Sequence, residues 1–412
     1  MKVLICGGGI GGLVTALCLH DARIDCAVFE QSDTMGELGV GINVLPHAIK
    51  TLAGLGLRDR LERVAIKTSE LIYTNRFGQE IWREPRGREA GYDVPQLSIH
   101  RGRLQGVLYE AVRERLGAAA LRHGHRLVGF HQDVDGVTAR FVNRAGDALG
   151  SACGDLLVGA DGIHSTVRAR LFPDEGPPRW NGVMAWRGAT DWPQFLTGRS
   201  MIIAGGMCAK LVLYPIAEGD TAGAKLTNWA VGVKIGDGST PPPRRQDWAR
   251  PGRVEDLLPH VELFSLPHVD VKGLVGATPE FYELPMCDRD PLPFWSHERV
   301  TLLGDAAHPM YPVGSNGAGQ AVLDAAALGS HLSQHSDPIT ALRAYQDERL
   351  PATAEIVRMN RAGGPERVID EVERRAPNGF DRIEDVVAID ELEAIVKGYA
   401  KASRFALEQV NR

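Results

Sequence analysis

Cysteine is sparse in this chain and scattered where it occurs. Cys6, Cys18, Cys26, Cys153, Cys208 and Cys287 show no C-x-x-C spacing, which argues against a zinc ribbon and against a redox disulfide. The histidines form no H-E-x-x-H pattern, so no metal site is expected. There is no basic excess: 46 Lys and Arg stand against 52 Asp and Glu, a net charge of -6, and this leaves no electrostatic footprint for nucleic acid. No apolar run reaches the roughly 18 residues of a membrane span, and no membrane association is expected. The first hydrophobic run is broken by glycines and reads as a strand rather than a signal peptide, so a soluble, cytoplasmic protein is expected. Internal repeats and low-complexity tracts are absent as well.

What is present begins at the N-terminus. With 44% hydrophobic residues, the 412-residue chain can bury a large core and divide into two or three interleaved domains. Lys2 to Cys6 reads as a buried parallel strand, Gly7-Gly-Gly9-Ile10-Gly11-Gly12 as a tight turn, Leu13 to His20 as a helix, and Cys26 to Glu30 as a second strand. Gly7, Gly9 and Gly12 give the G-x-G-x-x-G spacing, which permits a sharp turn, lets a pyrophosphate approach bare backbone, and packs helix against strand. Glu30 lies 18 residues after Gly12 and ends the second strand, where a carboxylate meets ribose hydroxyls. Ile10, Gly11 and Gln31 flank these positions and are assigned to the same cofactor site. A lone glycine fingerprint is a weak signal. After a strand, before a helix and with its acidic partner in register, it is a strong one.

The second signal is residues 301–320. The apolar strand Val300 to Leu303 ends at Gly304-Asp305, where a carboxylate at the strand's C-terminal edge can accept hydrogen bonds from a sugar-alcohol hydroxyl. A glycine-studded turn then opens a helix whose first N–H groups and positive dipole end suit the anionic N1/C2=O edge of a reduced flavin. Gly-Asp alone is equally an ordinary strand-turn-helix. Two more segments weigh against that: Ser98-Ile-His-Arg101-Gly-Arg-Leu104, which leads into an amphipathic helix through Leu116, and the strand, turn and helix around Asp161-Gly162-Ile-His-Ser165. Asp161 is open to a plainer reading as a turn former.

With these motifs in this order, from residue 1 to about 360, the chain resembles the single-component aromatic hydroxylases. These are FAD-dependent flavoprotein monooxygenases acting on salicylate, hydroxybenzoate, 6-hydroxynicotinate and phenazines. Leu38-Gly-Val-Gly41-Ile42-Asn43, Asp288 to Pro293 and Met310-Tyr-Pro312 echo the phenazine branch. The resemblance implies an α/β fold, with a Rossmann-like FAD-binding domain, an interleaved mixed-sheet substrate domain and C-terminal helices. It implies that Arg101 reaches the FAD pyrophosphate, that Asp161 serves FAD and the incoming nicotinamide nucleotide, and that Leu127 lies near the adenine. Gly41-Ile42 would run beside the isoalloxazine. Pro312-Val313-Gly314 would wall the flavin edge where oxygen reacts, and Asn316-Gly317 would face N1/C2=O.

The implied chemistry is that of the cofactor: non-covalent FAD, reduced by NADH or NADPH, captures O2 as a C4a-hydroperoxide and passes OH to an electron-rich ring carbon. Whether that step is decarboxylative stays open, as does monomer against homodimer. Only one dinucleotide fingerprint is present, which argues against disulfide reductases and Baeyer-Villiger enzymes, and Trp186 in Ala-Trp-Arg-Gly does not match the Trp-x-Trp-x-Ile of flavin halogenases. A flavin-binding redox sensor or an NAD(P)H oxidase without ring hydroxylation is the rival function.

The strand-like runs between Gly182 and Ile235, with Phe281 to Met286, predict the substrate sheet. The expected partition is 1–72, 96–180 and 287–360 for FAD, 73–95 and 181–286 for substrate, and 361–412 as docked C-terminal helices. Lys210 and Tyr214, four residues apart on one strand, share a face and are the candidate catalytic pair beside Pro312. Lys210 either binds an acidic ligand, assists deprotonation through a lowered pKa, or is a solvated strand-end lysine; Tyr214 is a pocket hydroxyl or sheet packing. Asn43 and Lys210 stand where 6-hydroxynicotinate relatives carry histidines, and Val313 where several relatives carry His or Gln, so these positions bear on substrate. Arg187 is the other candidate for a carboxylate. His123, His125 and His131 are expected to face solvent.

Overall fold

The computed structural model describes residues 1–34, 36 and 40–411, so Leu38 of the phenazine-like motif lies outside the described residues. Lys2–Cys6 is central in a five-stranded parallel sheet, flanked by Leu156–Gly159 and Asp25–Phe29, with Val300–Leu302 and Leu121–Arg122 at the edges. Val3, Leu4 and Ile5 are fully buried, as a strand covered on both faces requires. The covering helices include Ile10–Asp21, Arg101–Leu116 and Gly317–Gln334. An antiparallel meander of Arg126–Gln132, Val137–Val142 and Ala148–Gly154 packs alongside, with Phe29 stacked on Phe141 at 4.3 Å between ring centroids. That packing corrects the expectation for two histidines. Because Leu121–Arg122 joins the sheet at Phe29, His125 is drawn against the Phe29 ring and His123 sets Nε2 3.1 Å from the Tyr109 hydroxyl. His131 is exposed as expected.

The second sheet has seven strands in the order Phe281–Asp288, Arg179–Pro193, Ala224–Lys234, Ala209–Glu218, Ser200–Gly205, Glu70–Asn75 and Glu80–Pro85. Its two faces follow the period of two along Ala209–Glu218. Leu211 and Leu213 enter a core with Trp229 and the short helices Val254–Val261 and Val271–Gly276, whereas Tyr214 and Ile216 enter a different core with Val368, Ile369, Val372 and Val396. The C-terminal helices Arg367–Arg375 and Ile389–Ala402 therefore dock on the face that carries Tyr214, with Val387 and Tyr399 buried and Ile383, Val386 and Ile395 partly so. A small sheet of Gly41–Val44, Gln96–His100 and Ala65–Thr68 packs against the strand Ala209–Glu218. Among the described residues no helix is long and apolar enough to cross a membrane, and no group of three or more His, Cys, Asp or Glu is placed to hold a metal ion.

Candidate active site

The glycine turn is shaped for a diphosphate. Gly7 has φ 112°, and a Cβ there would lie 2.2 Å from the Ala160 carbonyl oxygen, so only glycine fits. A Cβ on Gly9 would meet nothing within 4 Å, so the backbone is bare on that side. Ile10 and Gly12 are buried in the turn, and Gly11 packs toward Leu303. Glu30 is oriented by two backbone donors, Gly8 N–H to Oε2 at 2.6 Å and Ser32 N–H to Oε1 at 2.8 Å. Each carboxylate oxygen keeps a further lone pair for a ribose hydroxyl. Gln31 is exposed beside it. Gln105 was not anticipated, yet its amide donates to the Gly8 carbonyl at 2.8 Å, and its position one helical turn after Arg101 was a usable signal.

Arg101 opens the helix Arg101–Leu116, held by its N–H to the Val40 carbonyl at 2.9 Å. Burial pulls its guanidinium below the ordinary range, while Asp305 and Glu30 pull it back up. Arg101 thus stands electrostatically between the carboxylates assigned to the two ends of the cofactor. Asp305 follows the buried strand Val300–Leu302 and opens to solvent, but protein surrounds it closely enough for desolvation to raise its carboxyl pKa, opposed by His308 and Arg101. An exposed carboxylate that feels the charge of Arg101, together with bare backbone at Gly9, fits the chemistry of FAD. Asp161 is more occupied. Its carboxylate accepts from Ser165 and from the N–H groups of Thr166 at 2.7 Å and Val167 at 3.3 Å, capping the short helix Thr166–Leu171. Leu127 has its side chain in the main core.

The flavin-edge turn is built from below. Pro312 is exposed, Val313, Gly314 and Gly317 are half-buried, and Gly317 begins the helix Gly317–Gln334 with N–H groups that have no partner inside the helix. The Asn316 side chain points inward: its amide donates to the Tyr399 hydroxyl at 3.1 Å, leaving only backbone to face a flavin. Tyr399 also sits 3.1 Å from the Val313 carbonyl and 2.7 Å from Asn360 Oδ1, and Asn360 donates to the Tyr311 carbonyl at 2.9 Å. Beneath the helix the chain continues. Gln320 donates to Asn316 at 3.3 Å, Arg349 donates to Gln320 at 2.7 Å and to Asp324 at 2.8 Å, and Asp324 accepts from Gly304 N–H at 3.1 Å and contacts His308 at 2.5 Å. One buried polar network therefore joins the turn at 311–316 to the turn at Asp305. Its bonded partners lie up to 86 positions apart, so no local spacing revealed them.

The candidate substrate face is assembled across strands. Register runs from Arg187 to Ala230, Val212, Ile203 and Tyr73, so these residues share one row and one face. Arg187 stacks on Trp248 with Cζ 4.0 Å from the ring centroid, and its Nε and Nη2 are buried without a hydrogen-bond partner. Burial, with Arg101 adding to it, pulls the guanidinium down to about 9, against the opposing influence of Tyr214 and Tyr282. It remains a cation at neutral pH. Burial raises the Tyr214 phenol, opposed by Arg187, so this hydroxyl stays protonated and can donate. Gly41 N–H donates to Asn228 Oδ1 at 2.7 Å, tying the partly exposed Gly41-Ile42 strand to the sheet, a contact the sequence did not suggest.

Two expectations change. Lys210 shares the Tyr214 face but reaches Asp370 at 3.0 Å and Glu366 at 3.5 Å. Burial alone lowers its pKa, yet these two carboxylates outweigh burial and raise it, so Lys210 is neither a depressed-pKa base nor a cation awaiting an acidic ligand. Asn43 is buried and accepts from Ser98 Oγ at 2.6 Å, which also bonds Thr68 Oγ1 at 2.6 Å, so its side chain is spent between strands.

The FAD binding domain family profile matches residues 1–200 and 291–360. Phenazine 1,6-dicarboxylic acid hydroxylase PhzS of Lysobacter antibioticus is 44% identical over 87% of this chain and 89% of its own length. 3-Hydroxybenzoate 6-hydroxylase 1 of Aquipseudomonas alcaligenes is 31% identical over 86% of each chain. Among solved structures, a salicylate hydroxylase substrate complex superposes with a TM-score of 0.74 at 23% identity, covering 98% of both chains. Klebsiella pneumoniae HpxO complexed with FAD and uric acid gives 0.72 at 23% identity, covering 100% of this chain and 95% of the other.

Proposed function

The chain belongs to the FAD-dependent aromatic hydroxylase family, and we propose that its substrate is a planar aromatic or heteroaromatic acid whose carboxylate pairs with Arg187. The observation that carries this reading is the Arg187 guanidinium, whose Nε and Nη2 are buried with no hydrogen-bond partner. Such a charge costs several kcal/mol if left uncompensated, and the planar fork of arginine matches a carboxylate bidentately. Lys210, matched by two carboxylates of the chain itself, offers no competing receptor. The named relatives acting on phenazine 1,6-dicarboxylic acid and 3-hydroxybenzoate also take aromatic acids.

Bound FAD supplies hydride acceptance from NAD(P)H and activation of O2. The residues of this chain bind and orient. Gly7, Gly9 and Gly12 would receive the diphosphate together with Arg101, Glu30 would hold the adenosine ribose, and Asp305 would hold the ribityl chain. The N–H groups from Gly317 onward would receive the pyrimidine edge, and Gly41-Ile42 would run along the ring. Pro312 and Val313 keep water from the reacting edge, Trp248 covers Arg187, and the Tyr214 hydroxyl donates to the ring substituent that is activated.

The test is a panel of aromatic acids and their neutral amides or esters, scored for substrate-stimulated NADH and NADPH oxidation and for ring product. Acids should stimulate and yield hydroxylated product. Equal stimulation by the neutral analogues would remove Arg187 as anchor, and oxidation that yields only peroxide with every compound would favour the oxidase reading.

A further inference from the structure

The sheet face that begins at Arg187 ends, four strands away, in a second polar pocket. Tyr73, Arg86 and Gln96 line a small, partly open cavity whose other walls include Ile203 of the same face and Gly314 of the turn at 312–316. Tyr73 Oη, Arg86 Nε and Gln96 Oε1 are all buried without a hydrogen-bond partner. Tyr73 is 0% and Gln96 2% exposed. Folded proteins leave few buried polar atoms unpaired, so three around one cavity point to a group they share.

We infer that this cavity is a recognition subsite for an uncharged oxygen substituent, a hydroxyl or carbonyl, at the far end of a fused-ring aromatic acid. The inference rests on the Arg187 carboxylate reading for the other end. The cavity volume of about 20 Å³ admits one oxygen-sized group. Arg86 Nε–H and the Tyr73 hydroxyl can donate to it, while Gln96 Oε1 can accept from it. A second carboxylate fits poorly, because Arg86 already pairs with Glu84 and an added anion would be buried beside that carboxylate unmatched. Four strand spacings separate Arg187 from Tyr73 at the backbone, roughly 19 Å. A single ring cannot address both ends; two or three fused rings can, lying over the half-buried Ala230 and Val212 and reaching the cavity at the edge of Ile203, which the C-terminal helices already cover.

The experiment titrates the FAD-loaded enzyme with 2-naphthoate, its 6-hydroxy derivative and naphthalene-2,6-dicarboxylate, following perturbation of the flavin absorbance. The hydroxy compound should bind about 5- to 10-fold tighter than 2-naphthoate, the yield of one added hydrogen-bonded group, and the dicarboxylate should bind worst. Tyr73→Phe and Gln96→Leu, made separately, should each bring the hydroxy-to-deoxy ratio toward one. No preference in the wild type, or a preference that survives both substitutions, would overturn the subsite and leave the cavity to a trapped water. If Arg187→Met leaves all affinities unchanged, the carboxylate reading fails instead, and the hydroxyl preference still reports on the cavity by itself.

Discussion

The two halves of this active site are made of different material. The cofactor half consists mainly of backbone and carboxylates placed at strand ends: Gly7 to Gly12, Glu30, Asp305 and the N–H groups that start at Gly317. The substrate half consists of side chains standing on a sheet whose neighbouring strands come from residues 70–85, 179–234 and 281–288. In the reading proposed above, the first would hold an invariant ligand with fixed geometry, and the second would have to match a molecule of particular shape and charge. Within the second half the two basic residues have opposite surroundings. Lys210 is matched inside the chain, whereas Arg187 is stacked and desolvated with donors unused.

The sharpest break between the halves should come at Asp305. Asp305→Ala removes a carboxylate that serves no hydrogen bond of the protein's own framework among the described residues, and charge-assisted bonds to ribityl hydroxyls are worth about 1.5–3 kcal/mol each. The variant should fold with the apoprotein's thermal midpoint yet bind FAD roughly 100-fold more weakly or worse by fluorescence titration. Full flavin content would show that the isoalloxazine lies elsewhere.

Arg187→Met makes the converse cut. FAD content should stay at the wild-type level while KM for an aromatic acid rises roughly 10- to 100-fold, since a largely desolvated ion pair is lost while the flavin contacts remain. A KM increase of the same size for a neutral aromatic would show that the arginine shapes the pocket without reading charge.

How far the sequence reached follows the same division. The glycine turn and Glu30 were legible because that geometry demands a residue type at a short, fixed spacing, whereas Arg101 was reached only through the family resemblance and the Asp305 turn alone read equally as an ordinary strand-turn-helix. Lys210 and Tyr214 were correctly set on one face by the period of two, but what covers that face comes from 366–399 and decides their roles. A single strand cannot announce Glu366 and Asp370. Asn316 was read as facing the flavin because it sits in the motif; its side chain is held by Tyr399, 83 positions on. The three unpaired atoms of Tyr73, Arg86 and Gln96 were invisible for the same reason, since each belongs to a different segment of chain.

Lys210→Met sharpens the contrast between the two cations. It should leave KM near wild type but lower stability by about 1–3 kcal/mol, less than for a fully buried pair because the lysine side chain is 22% exposed. The pH dependence carries the sign. Lys210 has a raised folded pKa, so its stabilisation is present at neutral pH and lost only as pH rises through that value, above the ordinary 10.5. Burial already raises Glu366, with Asp370 adding to it and Lys210 opposing it. Without the lysine its charged form is costlier still, so the deficit relative to wild type should shrink as the pH falls toward 4.5 and protonation removes the unmatched charge. A deficit that is flat with pH would mean lost packing alone.

Tyr399→Phe tests the smallest difference, whether the C-terminal segment only covers the substrate face or also sets the flavin edge. The ring would remain against Gly314, where a Cβ would lie 2.5 Å from it, so packing is preserved and only the hydroxyl goes. That hydroxyl lies within hydrogen-bond distance of the Val313 carbonyl, the Asn316 amide and Asn360. Losing it should cost about 1–2 kcal/mol of stability, because buried groups of Asn316 and Asn360 lose a partner. A purely structural role would stop there, with the flavin spectrum and the ratio of ring product to peroxide unchanged. A positioning role predicts more: the turn at 312–316 relaxes by tenths of an ångström, the flavin absorbance bands shift, and uncoupled peroxide rises at constant FAD content. Truncation before the helix Ile389–Ala402 should reproduce the uncoupling but with a much larger loss of stability, because Leu392, Val396 and Tyr399 leave the core together. Uncoupling in the truncated chain without uncoupling in Tyr399→Phe would assign the effect to coverage of the pocket and not to the hydroxyl.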